Sequence, residues 1–84
     1  MSFVVYIMHS EAHNKNYIGQ TQNLIARFKD HNLLGKKGWA RSYRPWKVVH
    51  VEFFETKREA LDREKFLKTG KGRQWVKEKI QSQT

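Results

Sequence analysis

The sequence has no cysteine, so neither a disulfide framework nor a thiolate metal site is available, which suits a reducing compartment. It has one proline and no serine-rich or low-complexity tract, which leaves no candidate linker between domains. Its longest apolar run near the start, FVVYIM, covers six residues with no basic residue before it, too short for a signal peptide. No run approaches the roughly 20 apolar residues that a membrane-spanning helix needs. Acidic residues are scarce, with 8 Asp and Glu against 17 Lys and Arg for a net charge of +9. The expectation is a soluble, cytoplasmic protein with a polyanion as partner, nucleic acid first among them. Charge alone leaves open a basic protein that adheres to anions without selectivity.

The 84 residues suffice for one domain with a small core, to which aromatics at 13% contribute much of the filling. FVVYIMHS carries bulky residues on both alternating faces and reads as a strand covered on both sides. KNYIGQT reads as a second strand, joined to the first by a hairpin loop. Thr21 is placed to cap a helix through QNLIARFKDHN, with Leu24, Ile25 and Phe28 on one side. A loop with two glycines and the proline follows, and then the strand KVVHVEFFE with Val49, Val51 and Phe53 on one face. KREALDREKFLKT is the clearest helix, with Gly70 and Gly72 expected to stop it, and RQWVKEKIQ is a last short helix before a frayed tail at 81–84. The fold class is α/β in the α+β sense. A small, mostly antiparallel three-stranded sheet is flanked by helices in the order β-β-α-β-α-α, over a single domain 1–84.

At 100° per residue, Ala60, Leu61, Glu64 and Leu67 fall on one stripe of the second main helix, while Glu59 and Asp62 point away. A carboxylate on a core-facing stripe is costly unless it is paired, protonated or bound to a metal. Helix geometry alone favours an ion pair with an arginine of the first helix. On that helix Arg27 and His31 are four residues apart and flank the stripe of Leu24 and Phe28. An arginine there suits a phosphate oxygen, because its rigid fork is always charged; pairing with Glu64 is the structural alternative.

These positions resemble a known family. VVY at 4–6, ten intervening residues and YIG at 17–19 are similar to the motif pair of the GIY-YIG nuclease superfamily. Arg27, ten residues past Tyr17, falls where that family carries its helix arginine, and His31 one turn later where members carry His or Tyr. Glu64 stands in the place of the family's metal ligand, and ALDREKFLKTGKGRQWVKEKI resembles the small stand-alone members. The resemblance implies a metal-dependent endonuclease that hydrolyses phosphodiester bonds, DNA favoured over RNA, with Mg²⁺ or Mn²⁺ held by Glu64. In that reading Arg27 stabilises charge on the phosphorane, Tyr17 takes the proton from the attacking water and Tyr6 positions it. Ionising a free tyrosine at pH 7 costs roughly 4 kcal/mol, so His31 is the reserve base. The resemblance also points to DNA repair or recombination, and to a monomer or weak homodimer.

There are departures from the family pattern. Val4 replaces the first glycine, Gln20 replaces a lysine of some members, and no asparagine follows Asn32, leaving Gln74 as the candidate substitute. The alternative is therefore a nucleic-acid-binding module of the same fold with weak or no cleavage. A third class is an interaction domain whose basic face docks an acidic protein. Between His31 and Val51 there is no acidic residue, and Lys36, Lys37, Arg41, Arg44 and Lys47 interleave with Trp39, Tyr43 and Trp46. Cations for phosphates and rings for bases suit a nucleic-acid-tracking loop, with Trp46 expected to cap the sheet instead. Lys71 and Arg73, with Lys68, form a second basic group. His9 and His13 are expected to be solvated loop residues.

Overall fold

The computed structural model describes residues 2–29 and 43–82, except for the side chains of 27–29. The order is β1 (Phe3–Ser10), β2 (Lys15–Thr21), α1 (Leu24–Lys29), β3 (Lys47–Phe54), α2 (Lys57–Leu67) and α3 (Gly70–Gln81), as expected from the sequence. The three strands form one antiparallel sheet in the order β2-β1-β3.

β1 is the central strand, and its residues from Val4 to Ser10 are all buried. Alternation along it sorts the core into two parts. Val5 and Ile7 meet Val49 and, from the two C-terminal helices, Ala60, Leu67 and Val76. Tyr6 and Met8 meet Trp46, with Tyr17, Tyr43 and Leu24 of α1 packed around them. Each fully buried large apolar side chain stabilises the fold by about 1.5–3 kcal/mol. The sheet therefore has an aliphatic face under α2 and α3, and an aromatic face beside α1.

Threonines set the helix boundaries. Thr56 Oγ1 accepts from Glu59 N–H at 3.2 Å and donates to the Glu59 carboxylate at 2.9 Å, opening α2. Thr69 Oγ1 accepts from Gly72 N–H at 3.2 Å and donates to the Phe66 carbonyl at 2.6 Å, so one side chain closes α2 and opens α3. Gly70 and Gly72 are thus not the C-terminal stop of α2. Lys68 caps it in ordinary right-handed geometry, and both glycines belong to the first turn of α3. Gly72 is there for close approach: a Cβ would overlap the Phe66 carbonyl oxygen and lie 2.5 Å from Leu67 Cα.

Five other expectations are corrected. Asn23, not Thr21, caps α1, its Oδ1 accepting from Ala26 N–H at 3.1 Å; Ile25 points to solvent. A register shift opposite Ile7 and Met8 changes the phase of β3, so Val49 joins the aliphatic core, Val51 pairs with Tyr6 and Phe53 is 71% exposed. Leu61 lies off the buried stripe of α2. His9 is a buried strand residue whose Nδ1 is 2.7 Å from Asn16 Oδ1, not a loop residue; His13 does lie in the exposed turn.

Candidate active site

The two tyrosines meet because of strand register. Tyr6 pairs with Gly19, and Tyr17 pairs with Met8, so both phenol rings rise from the same face of adjacent strands. The Tyr6 ring lies across Gly19: a Cβ there would sit 2.7 Å from Tyr6 Oη and 3.1 Å from Tyr17 Cε1. With that space clear, the rings stack with centroids 6.1 Å apart at 22°. Trp46 meets Tyr17 edge-on at 6.4 Å and is buried in the same cluster. Tyr6 is 1% exposed and Tyr17 half-buried, so one phenol is anchored and the other borders solvent. Leu24 packs on this cluster and holds α1 beside it. The backbone of Arg27 belongs to that helix, but its side chain and all of His31 lie outside the described residues.

Glu64 sits on α2 with 19% of its side chain accessible, and its Oε2 accepts from Lys68 Nζ at 2.7 Å. Among the described residues its partner is thus a lysine one turn on, on the same helix. An ion pair this open is worth about 0–1 kcal/mol, so the carboxylate is readily released. A hard oxygen donor at the solvent border that stands alone among the described residues, with a displaceable partner, fits a Mg²⁺ or Mn²⁺ ion that keeps most of its waters. Among the described residues no group of three or more His, Asp or Glu side chains converges as an all-protein cage.

A second polar constellation, not anticipated from the sequence, joins β3 to α2 and α3. Arg63 makes a two-pronged contact with Glu52, Nε at 2.9 Å and an Nη at 3.1 Å, and His50 Nε2 lies 2.7 Å from the same carboxylate. The guanidinium lies over the Phe66 and Trp75 rings at 5.3 and 5.0 Å. Burial works against the charged form of Glu52, but hydrogen bonds and charge from Arg63 and His50 outweigh it and hold the carboxyl below its ordinary range. Every group is spent on another in the cluster, which makes it a structural clamp. Its sequence signal was the acidic residue in the middle of an apolar strand.

The basic residues divide. Lys36, Lys37, Trp39 and Arg41 lie outside the described residues. Arg44 is half-buried, Lys47 is tied to Glu11 at 2.8 Å, and Lys71 is exposed on the first turn of α3. Trp46 is buried against the sheet, as expected. Arg73 lines a cleft beside β2 together with Lys15, Lys68 and Lys77, of which Lys15 and Lys77 were not singled out in the sequence. The four-residue spacing of Arg73 and Lys77 was the available signal. Gln74 donates its amide to Glu78 at 3.2 Å on an exposed face of α3.

Comparison with known proteins places the fold and the family. The family model of the GIY-YIG catalytic domain matches residues 2–79. A UPF0213 protein of Bacillus velezensis is 40% identical over 72 residues, which cover 82% of this chain and 73% of that protein. A UPF0213 protein of Clostridium perfringens is 46% identical over 52 residues, 62% of this chain and 56% of the other. The solution NMR structure of the UPF0213 protein BH0048 from Bacillus halodurans shares the fold, with a TM-score of 0.55 and 24% identity over 90% of this chain and 82% of that one. With its paired tyrosines on neighbouring strands and a match over nearly its whole length, the chain belongs to the GIY-YIG domain family, which is generally endonucleolytic.

Proposed function

We propose that this chain is an endonuclease that hydrolyses phosphodiester bonds in nucleic acid, DNA in preference to RNA, with Mg²⁺ or Mn²⁺. The observation that supports it most is the stacked pair of Tyr6 and Tyr17 over Gly19, with Tyr6 buried and Tyr17 half-buried. In this reading Tyr17 takes the proton of the attacking water, and Tyr6 holds that water in line. Arg27, on the helix seated against the same cluster, stabilises the negative charge that builds on the phosphate. His31 is the alternative base. Glu64 holds the divalent ion, which when bound supplies positive charge to the phosphate and leaving oxygen. Contacts to nucleic acid come from Lys36, Lys37, Trp39, Arg41, Arg44, Lys71 and Arg73. We place the protein in the cytoplasm, acting in DNA repair or recombination as a monomer or weak homodimer; no helix of the described residues is long and apolar enough to cross a membrane.

The second reading is a binding module of the same fold with weak or no cleavage. It is favoured by one observation: Gln74, the amide nearest the family's asparagine position, is engaged with Glu78. The test is a cleavage assay on single-stranded, duplex, flapped and branched DNA and on RNA, with Mg²⁺, Mn²⁺ or chelator. Metal-dependent nicking by the wild type, lost in Glu64→Gln, supports the nuclease. Tight binding with no nicking on any substrate leaves the binding module.

A further inference from the structure

An open cleft of about 880 Å³ runs between the outer edge of β2 and α3. Lys15, Lys68, Arg73 and Lys77 contribute to its walls, and no carboxylate does. Elsewhere on the described surface Lys47 is matched with Glu11, Arg58 with Asp62 and Arg63 with Glu52, while Lys57, Lys65 and Lys71 are exposed without an ion pair among the described residues but stand outside this cleft. In the cleft only Lys68 has an acidic partner, Glu64. Arg73 and Lys77 lie one turn apart on the same face of α3, an arrangement that destabilises a helix through like-charge repulsion. Neither side chain has an ion pair or hydrogen bond among the described residues, so nothing within them offsets that cost.

Two further features indicate what the cleft takes. β2 is an edge strand, so the cleft is open along its length and admits a chain rather than a compact molecule. Tyr17 belongs both to the cleft wall and to the stacked tyrosine pair, and Lys68 connects the same wall to Glu64. A polyanionic strand lying in the cleft therefore runs beside Tyr17 and beside the lysine that holds Glu64.

We infer that the cleft between β2 and α3 is the track for a nucleic-acid strand, whose phosphates beside the reacting one are gripped by Arg73 and Lys77. The inference rests on the endonuclease reading and adds to it a path along the edge of β2, with Lys15 and Lys77 as contacts. Two cations with Cβ atoms about 5–6 Å apart can each meet a different phosphate of one strand, which gives direction to the bound chain. Lys68 exchanges between Glu64 and the strand, so occupancy of the cleft and release of the carboxylate occur together.

The experiment is fluorescence anisotropy of a labelled single-stranded oligodeoxynucleotide, titrated with full-length protein in chelator across a range of salt. The Arg73→Gln/Lys77→Gln variant, altered only at exposed positions, is expected to bind at least about 10-fold more weakly at moderate salt. The slope of log affinity against log salt should flatten by about 1.4, at ~0.7 per phosphate contact. A charge-matched control, Lys57→Gln/Lys65→Gln on exposed α2 positions outside the cleft, should keep the wild-type slope. Equal slopes for wild type and the Arg73/Lys77 variant, or equal losses in both variants, overturn the track. Competition by polyglutamate as strong as by unlabelled DNA overturns it too, in favour of an acidic peptide. Because binding is read without metal, a wild type that binds through the cleft but never cleaves defeats only the nuclease reading. A wild type that cleaves while the variant binds normally defeats only the track.

Discussion

The two faces of the sheet are built from the same central strand by opposite means. Under α2 and α3, Val5 and Ile7 enter an aliphatic core, and the polar groups at its border, His50, Glu52 and Arg63, are consumed by one another. On the other face Tyr6 and Tyr17 stack on each other with Trp46 edge-on to Tyr17, and the polar atoms are carried on rigid rings, one buried and one half-buried. The difference teaches how to separate stability from chemistry in a chain this short. A polar cluster closed on itself is a clamp. A half-buried phenol on a rigid ring is the candidate for chemistry.

This contrast can be broken by substitution. The largest expected effect is Glu64→Gln, which should take metal-dependent cleavage to the assay floor while the melting temperature stays near wild type. The Lys68 pair is open enough to contribute only about 0–1 kcal/mol. A variant that cuts normally, or one that unfolds, removes Glu64 from the chemistry.

Next is Tyr17→Phe, which keeps the ring and its packing but removes the proton acceptor. Single-turnover rates should fall by about 10² to 10⁴-fold with binding unchanged. Tyr6→Phe should cost less, since a positioning hydrogen bond is worth about 0.5–1.5 kcal/mol. If His31→Ala shows the larger loss and the pH–rate profile loses its inflection near the ordinary histidine range of ~6–7, the imidazole is the base.

A mixed effect is expected at Gly19, the point where packing and site coincide. Gly19→Ala must push the buried Tyr6 ring aside, so thermal denaturation should report a loss of about 1–3 kcal/mol together with reduced cleavage. Unchanged melting would mean that the ring moves freely and is not anchored.

The smallest effect belongs to the other face. The Glu52 carboxyl is held below its ordinary range in the folded state, so across the acid window the unfolded chain binds the extra proton and stability rises with pH. Its contribution is complete above the ordinary glutamate range of ~4.3 and is lost as pH falls through the lower folded value. Urea denaturation from pH 7 to 3 should show this slope, reduced in Glu52→Gln, with no change in cleavage at neutral pH. A change in cleavage there would make the clamp part of the site.

Much of this was legible in the residues themselves. The bulky residues on both sides of FVVYIMHS place β1 at the centre of the sheet, and the family spacing of VVY and YIG foretells that Tyr6 and Tyr17 meet. What was not legible depends on contacts that leave no local pattern. The bulge in β3 inserts a residue without changing composition, so the face of Phe53 is set by its pairing with β1. The glycines of TGKGR carry the chemistry of a helix stop, yet Thr69 caps the next helix and Gly72 is small because α2 ends against it. The cleft draws its cations from positions 15, 68, 73 and 77, and only the last two share a helical face. Assembly in space, not sequence, brings them together.

Among the described residues the outer edge of β2 is unpaired, with a further consequence for how copies of the protein treat one another. An open strand edge is a template for sheet extension, and the usual protection is positive charge placed along it. Here the cations beside β2 give two approaching copies the same sign at the same edge, so strand-to-strand pairing there is opposed by Coulomb repulsion. That protection weakens as salt shortens the screening length to about 8 Å at physiological ionic strength. A polyanion lying along β2 replaces repulsion by physical occupancy of the edge. Colloidal stability and ligand binding are then served by the same four side chains, and a variant that neutralises them should precipitate at lower concentration than the parent.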